Sequence, residues 1–238
     1  MKWLYRKNLE KSTLITSPQI VPSSRTRNMY DTRLAVYSLF STAGSDFEIN
    51  ILMPGALQID AVGVGGHNFS DGSTLSINGG PALPLSRIHA LVDVGDITAQ
   101  NFKIIISDPQ LQLGDTRYIG RLEIGITYSF PGISHNVKLD EVSNSETILS
   151  ASRQVYGYRR VSYTRGSVQF PLVTREQLEE MTNIFKYVDT FTPFFTHFDE
   201  DCIEGKTNYG ILEDTKTLSF QMNEAQVYTT SLSISEVN

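Results

Sequence analysis

The chain has 238 residues, of which 40% are hydrophobic and 19% are charged, so its composition is that of a folded protein and excludes a disordered or fibrous one. Its formal charge of −6 argues against broad contact with a phosphate backbone, and we expect no nucleic-acid partner. A chain of this length can form two domains of about 100 residues each, and two is the number we expect.

Residues 1–30 show little hydrophobic periodicity and contain Pro18 and Pro22, which predicts an extended N-terminal arm. Trp3, Leu4 and Tyr5 give this arm an apolar anchor. The anchor either packs on its own domain or docks on a neighbouring subunit, and the sequence leaves both alternatives open.

Residues 31–132 have the pattern of strands separated by turns. Alternate residues are apolar from Phe47 to Met53, the run stops at the turn signal Pro54-Gly55, and a second strand covers residues 57–64. Further strands are predicted over 102–107 and 118–130, the latter with Arg121, Glu123 and Thr127 on its polar face. Such alternation is typical of antiparallel sheets with one buried face, so a jelly-roll-like β-sandwich is predicted.

Two glycine-rich segments in this region, GVGGHNF and INGGPALP, lack the spacing of a nucleotide-binding loop. They are interpreted as hairpin turns.

Residues 133–152 are rich in turn-forming and serine residues and are predicted to be a linker. Residues 153–238 then form a second domain that contains one helix. Thr174 and Gln177 make a capping box, and an apolar stripe follows at helical spacing, consisting of Leu178, Met181, Phe185 and Val188. A sheet flanked by this helix is an α+β unit, and the whole chain is therefore predicted to be mainly β.

The second half has a distinctive order of segments: YGYRRVSYTRGSVQF, VTREQLEEMTNIF, FTPFFTHFDED, YGIL and VYTTSLSISEV. This order resembles the C-terminal halves of bacteriophage minor tail and tail-tip proteins, which contain a tail-tube-like unit. The resemblance implies a structural protein of the virion tail, tail tip or baseplate that is assembled in the host cytoplasm. It would pack against other virion tail proteins as a ring or adaptor component and would not be an enzyme.

The first half, with FEINILMPGALQIDAVGVGGHNFSDGS before YIGRLEIGITYSF, looks like the galactose-binding-like sandwich often attached to tail and adhesion proteins. That resemblance implies a sugar-binding loop with an aromatic stacking platform. The loop GGHNFSDGS offers His67, Asn68, Phe69, Ser70 and Asp71, although it lacks a tryptophan. A carbohydrate-binding module that recognises a host surface glycan is therefore the alternative function.

Basic residues gather in two places, although the chain is acidic overall. Arg153, Arg159, Arg160 and Arg165, together with Trp3 and Tyr5, are the predicted contacts with an adjoining subunit. Arg25 and Arg27 form a smaller group that could meet an anion. The alternative for both groups is a solvated surface.

No residue pattern predicts a catalytic, cofactor or metal site. The histidines are dispersed, the acidic run from Asp199 to Glu204 lacks calcium-loop spacing, and no nucleophile elbow occurs. A glycan-cleaving enzyme is a third alternative, because the distance between paired carboxylates depends on the fold. The single Cys202 and the absence of an apolar signal or membrane-spanning run favour folding in a reducing cytoplasm.

Overall fold

The computed structural model describes most of the chain, with gaps. The described residues are 1–4, 12, 14–17, 19–21, 24–31, 33–41, 46–85, 88–112, 114–130, 137–143, 146–149, 155–158, 162–188, 192–198, 206–213, 221–222 and 228–237. The chain divides into two compact units. The first unit comprises Met1–Ser129 with Phe194–Tyr209, and the second comprises Phe130–Pro193 with Gly210–Asn238.

The described elements are strands, one 3-10 helix and one α-helix. In the N-terminal half they are β1 (Lys2–Leu4), β2 (Leu14–Thr16), the 3-10 helix (Thr26–Tyr30), β3 (Ser38–Ser41), β4 (Asp46–His67), β5 (Thr74–Ile77), β6 (Leu83–Pro84), β7 (His89–Ser107), β8 (Thr116–Gly125) and β9 (Thr127–Ser129). In the C-terminal half they are β10 (Lys138–Val142), β11 (Glu146–Leu149), β12 (Val155–Tyr158), β13 (Tyr163–Val173), α1 (Arg175–Val188), β14 (Phe194–His197), β15 (Thr207–Leu212), β16 (Gln221–Met222) and β17 (Tyr228–Glu236). The prediction of a mainly β chain with sandwich architecture and one flanking helix is confirmed.

The main sheet of the first unit is antiparallel and has the order β3-β8-β4-β7-β5-β6, with β2 paired to β4. The alternation from Phe47 to Met53 buries one face, as predicted. The predicted turn at Pro54-Gly55 is wrong, because β4 runs through it. A shift of register between Leu52 and Leu57 accommodates both residues while β7 continues alongside.

The polar face predicted for β8 is not exposed. Arg121 and Glu123 are both about 1% exposed, and Arg121 Nε donates to Glu123 Oε1 at 2.8 Å. Arg121 also donates to the backbone carbonyl of Tyr30, the last residue of the 3-10 helix. The alternation therefore places a buried ion pair, and not a solvated face, opposite the apolar core.

The two glycine-rich segments have different roles. INGGPALP forms the predicted turn, since Asn78 and Gly79 have φ of 49° and 75° and Gly80 N–H donates to Ile77 O at 2.8 Å. The first five residues of GVGGHNF are instead the end of β4, which continues to His67. A Cβ atom at Gly63 would lie 2.5 Å from the ring of Phe195, so glycine is required there by close packing and not by a turn.

The arm prediction is wrong for its first residues. β1 pairs with β9 on one side and with β14 on the other, and Trp3 is 0% exposed with its ring centroid 4.7 Å from that of Phe194. Of the two alternatives for the apolar anchor, Trp3 and Leu4 adopt packing within their own unit, because burial in the core removes both side chains from water. Tyr5 lies outside the described residues.

In the second unit β13 pairs with β10 and β17, and β17 also pairs with β16 and with the Gly210–Leu212 end of β15. The capping box of α1 is present, with Thr174 N–H donating to Gln177 Oε1 at 2.9 Å. The helix buries Met181, Ile184, Phe185 and Val188, whereas Leu178 is half-buried. Three of the four residues of the predicted stripe are therefore buried, and Ile184 takes the place of Leu178 on the buried face.

The predicted linker and domain boundary differ from the structure. Residues 133–152 contain β10, which pairs with β13, and β11, which pairs with β12. In addition, Phe194–His197 lies within the predicted second domain but belongs to the first unit. Turn-rich composition predicts a domain boundary here, whereas backbone pairing of β10 with β13 and of β11 with β12 makes these residues part of sheets.

Candidate functional site

The predicted sugar loop does not present its aromatic residue to solvent. Phe69 is 7% exposed and packs edge-on against Phe47 with ring centroids 5.4 Å apart. His67 is buried, and its Nδ1 accepts from Phe69 N–H at 3.3 Å. Asn68 and Asp71 are exposed. Phe69 is thus a core residue and cannot serve as a stacking platform in this conformation.

One buried carboxylate fixes the loop that follows β4. Asp108, fully buried, accepts hydrogen bonds from Ser70 N–H at 3.2 Å, from the Ser70 hydroxyl, from Gln110 N–H at 3.0 Å and from Arg117 Nε at 2.7 Å. Burial alone would raise the pKa of Asp108, but these hydrogen bonds from Ser70 and Arg117 outweigh it and lower the pKa. The loop is therefore held by a charged and fully bonded anchor.

An aromatic pair made of an exposed and a half-buried tyrosine is hydrogen-bonded to this loop. The rings of Tyr37 and Tyr118 are 5.0 Å apart between centroids and tilted by 41°, and Tyr37 is 45% exposed. Tyr118 N–H donates to Asn68 Oδ1 at 2.7 Å, which connects the pair to the loop. We call Tyr37 and Tyr118 the tyrosine platform. The sequence alone does not predict this pair, because the two tyrosines are far apart along the chain. The pairing of β3 with β8, in which Leu39 lies opposite Tyr118, brings the two rings together.

The 3-10 helix and the residues just before it are hydrogen-bonded to the segment that carries Tyr37. Asn28 Nδ2 and Ser24 Oγ donate to the backbone carbonyl of Tyr37 at 2.9 and 3.3 Å. Ser38 Oγ donates to the carbonyl of Arg25 at 2.7 Å. The exposed Arg25 and the neighbouring Arg27 therefore lie on a segment that is bonded directly to the platform strand.

The first unit also contains a cavity of about 160 Å³ away from this loop. Its lining residues are Lys2, Ala61, Leu91, Asp93, Thr127 and His197. Lys2 Nζ lies 2.6 Å from Asp93 Oδ2 and lowers the pKa of that carboxyl, while His197 Nδ1 lies 2.9 Å from Thr207 Oγ1. Because Lys2 and Asp93 already pair with each other, this cavity is a weaker candidate for ligand binding than the tyrosine platform.

The structure describes two of the six predicted subunit-contact residues, Trp3 and Arg165. Arg165 is exposed but pairs with Glu213 of its own unit. Trp3 is buried, while Tyr5, Arg153, Arg159 and Arg160 lie outside the described residues.

The acidic run from Asp199 to Glu204 also lies outside the described part of the chain. Within that part, no three metal-ligating side chains form a group, and no helix has the length and hydropathy to cross a membrane.

No protein-family model matches the chain, and no curated protein sequence matches it. Among solved structures, a GH29 fucosidase of Ruminococcus gnavus in complex with fucose aligns with a TM-score of 0.41 and 16% identity over 53% of this chain, and the alignment spans only 28% of the fucosidase chain. The family 32 CBM of C. perfringens NanJ in complex with galactose aligns with a TM-score of 0.37 and 13% identity, covering 54% of this chain and 100% of the other.

Proposed function

We propose that the first unit is a non-catalytic saccharide-binding module whose contact surface is the tyrosine platform. The observation that carries this proposal is the exposed Tyr37 ring, tilted against Tyr118 and joined through Tyr118 N–H to the exposed Asn68. A tyrosine ring combines an apolar face, which packs on the C–H face of a sugar ring, with a hydroxyl for hydrogen bonding. An amide such as that of Asn68 can pair with sugar hydroxyls. The predicted glycan loop thus contributes its polar residues, and the aromatic contact comes from β8 and the residue before β3.

The site is pre-organised, which favours binding to a flexible ligand. Asp108 fixes the loop next to Asn68, and the 3-10 helix fixes the backbone of Tyr37. Because these groups are already ordered, association does not have to order them.

The same geometry is better suited to binding than to glycan cleavage. A retaining or inverting glycosidase needs one carboxyl group that donates a proton to the glycosidic oxygen. Asp108, the carboxylate that anchors the loop, is buried, has a lowered pKa and accepts hydrogen bonds on both oxygens. It is therefore unsuited to that role.

A glycan array probed with the full chain tests the proposal. We expect the wild-type protein to bind a defined set of saccharides and Tyr37→Ala or Tyr118→Ala to weaken that binding by about 10-fold or more, which corresponds to about 1.4 kcal/mol. Tyr187→Ala is the matched control, because Tyr187 is an exposed tyrosine on α1 of the second unit. Absence of binding by the wild-type protein, or full binding by both platform variants, would overturn the proposal.

We propose a second role for the second unit. It would be a structural component of a virion tail that packs into a ring with other tail proteins. Its support is the resemblance of residues 150–238 together with exposed apolar side chains on that unit, namely Leu172 at 62% and Tyr187 at 49% exposure. Large apolar side chains on a surface are typical of protein contacts. Sedimentation velocity over a range of concentrations should show oligomers that Leu172→Glu disrupts, and a monomer at every concentration would contradict ring formation by the chain alone.

A further inference from the structure

We infer that the saccharide recognised at the tyrosine platform is acidic, and that Arg25 and Arg27 bind its carboxylate groups. This inference rests on the proposed function. It names the chemical class of ligand and two specificity-determining residues beside the platform.

The first step concerns ion pairing. Most arginines in the described part of the chain have a carboxylate partner within 4 Å, and these are Arg33, Arg117, Arg121, Arg165 and Arg175. Arg25 and Arg27 are the described arginines that form no ion pair, although both are exposed and the chain carries a net charge of −6. In an acidic protein two neighbouring cations without partners form a local site that favours an anion.

The second step concerns position. The backbone carbonyl of Arg25, the residue before the 3-10 helix, accepts a hydrogen bond from the Ser38 hydroxyl, and Asn28 of that helix donates to the carbonyl of Tyr37. The backbone segment that carries both arginines is therefore hydrogen-bonded to the backbone of Tyr37 and to the side chain of Ser38. Since an arginine side chain is long and flexible, its guanidinium group can approach a ligand that lies on that ring.

The third step concerns chemistry. A guanidinium group presents parallel N–H donors that match the two oxygens of a carboxylate, and this charge-assisted pairing is stronger than hydrogen bonding to a neutral hydroxyl. A sugar ring stacked on Tyr37 with a carboxylate at its edge would use both features at once. A neutral sugar would use only the aromatic contact and the Asn68 amide.

The experiment compares the wild-type full chain with the double variant Arg25→Gln and Arg27→Gln on an array in which each acidic saccharide stands beside its neutral counterpart. One such pair is a β-1,4-linked glucuronic acid oligosaccharide and the cello-oligosaccharide of equal length, which differ only at C6. Arg175→Gln serves as the control, because it removes an exposed arginine of the second unit whose partner Glu179 is also exposed. Each protein is measured at low and at high salt.

We expect the wild-type protein to bind acidic members about 10-fold or more tightly than their neutral counterparts, with the preference reduced at high salt by screening. The double variant should lose this preference and keep its weaker neutral binding, whereas Arg175→Gln should behave as wild type. Equal binding of acidic and neutral members, or an unchanged preference in the double variant, overturns the inference while saccharide binding itself stands. If no saccharide of either class binds, both the inference and the proposed function are wrong.

Discussion

The carboxylate of Asp108 is the single side chain on which the loop beside the platform depends most. It is fully buried and accepts hydrogen bonds from two backbone N–H groups as well as from Ser70 and Arg117. A buried charge of this kind is stabilising only while its partners remain in place. Removing it leaves the largely buried Arg117 guanidinium without its main partner.

Asp108→Asn should therefore lower the free energy of unfolding by about 3–5 kcal/mol, the range found when one partner of a buried pair is removed. Urea denaturation at neutral pH measures this loss. Asp115→Asn is the control, because the Asp115 side chain is 43% exposed and lies 3.9 Å from Arg117, so its loss should cost less than about 1 kcal/mol. Similar losses for both variants would show that Asp108 is not the anchor.

The pH dependence of the same pair has a defined sign. The pKa of Asp108 is lowered from 3.8 in the folded protein, so its contribution to stability is present above pH 3.8 and is lost as the pH falls through the folded pKa. The difference in unfolding free energy between the wild-type protein and Asp108→Asn should be constant near neutral pH and should shrink below about pH 4. A difference that grows on acidification would contradict this.

At the scale of single elements, α1 shows how a short helix is stabilised. Its first turn has the capping box of Thr174 and Gln177, and Glu176 lies at the positive end of the helix dipole. These local features were readable from the sequence. The prediction of the buried face is less accurate, since Ile184 replaces Leu178 in it. The reason is that the orientation of a helix on its sheet depends on contacts outside the helix.

Phe185→Ala should lower the free energy of unfolding by about 3–5 kcal/mol, because the side chain is 6% exposed and its removal leaves a cavity. Tyr187→Ala, on the exposed side of the same helix, should cost less than about 1 kcal/mol. Thermal unfolding followed by circular dichroism distinguishes the two. A small loss for Phe185→Ala would mean that the helix does not rest on that face.

At the scale of the whole molecule, the first unit is built from two separate parts of the chain. β14 comes from far along the sequence, yet it pairs with β1, and its Phe195 ring occupies the space left by Gly63. The first unit therefore needs residues that follow the helix of the second unit in sequence.

A fragment of residues 1–132, the extent of the arm and first domain predicted from sequence, should not fold like the intact chain. It lacks Phe194, on which Trp3 packs. Because Trp3 is the single tryptophan, its fluorescence reports this packing directly. We expect emission shifted to longer wavelength and loss of a cooperative thermal transition. A fragment with the emission and cooperativity of the full chain would show that β14 is dispensable.

The features that depend on neighbouring residues can be predicted from the sequence alone: the mainly β class, the alternation of β4, the turn at Asn78-Gly79 and the capped helix. Each of these follows from periodicity or from the conformational preference of a few adjacent residues. Three other features follow from long-range packing: Trp3 is a core residue, Phe69 is buried, and the ring of Tyr37 contacts that of Tyr118. These depend on which distant strands pair and in which register, and a shift by one residue would turn every side chain to the opposite face. The loop of residues 65–73 and the basic pair of Arg25 and Arg27 can therefore be singled out from the sequence, whereas the meeting of Tyr37 with Tyr118 follows only from the pairing of β3 with β8.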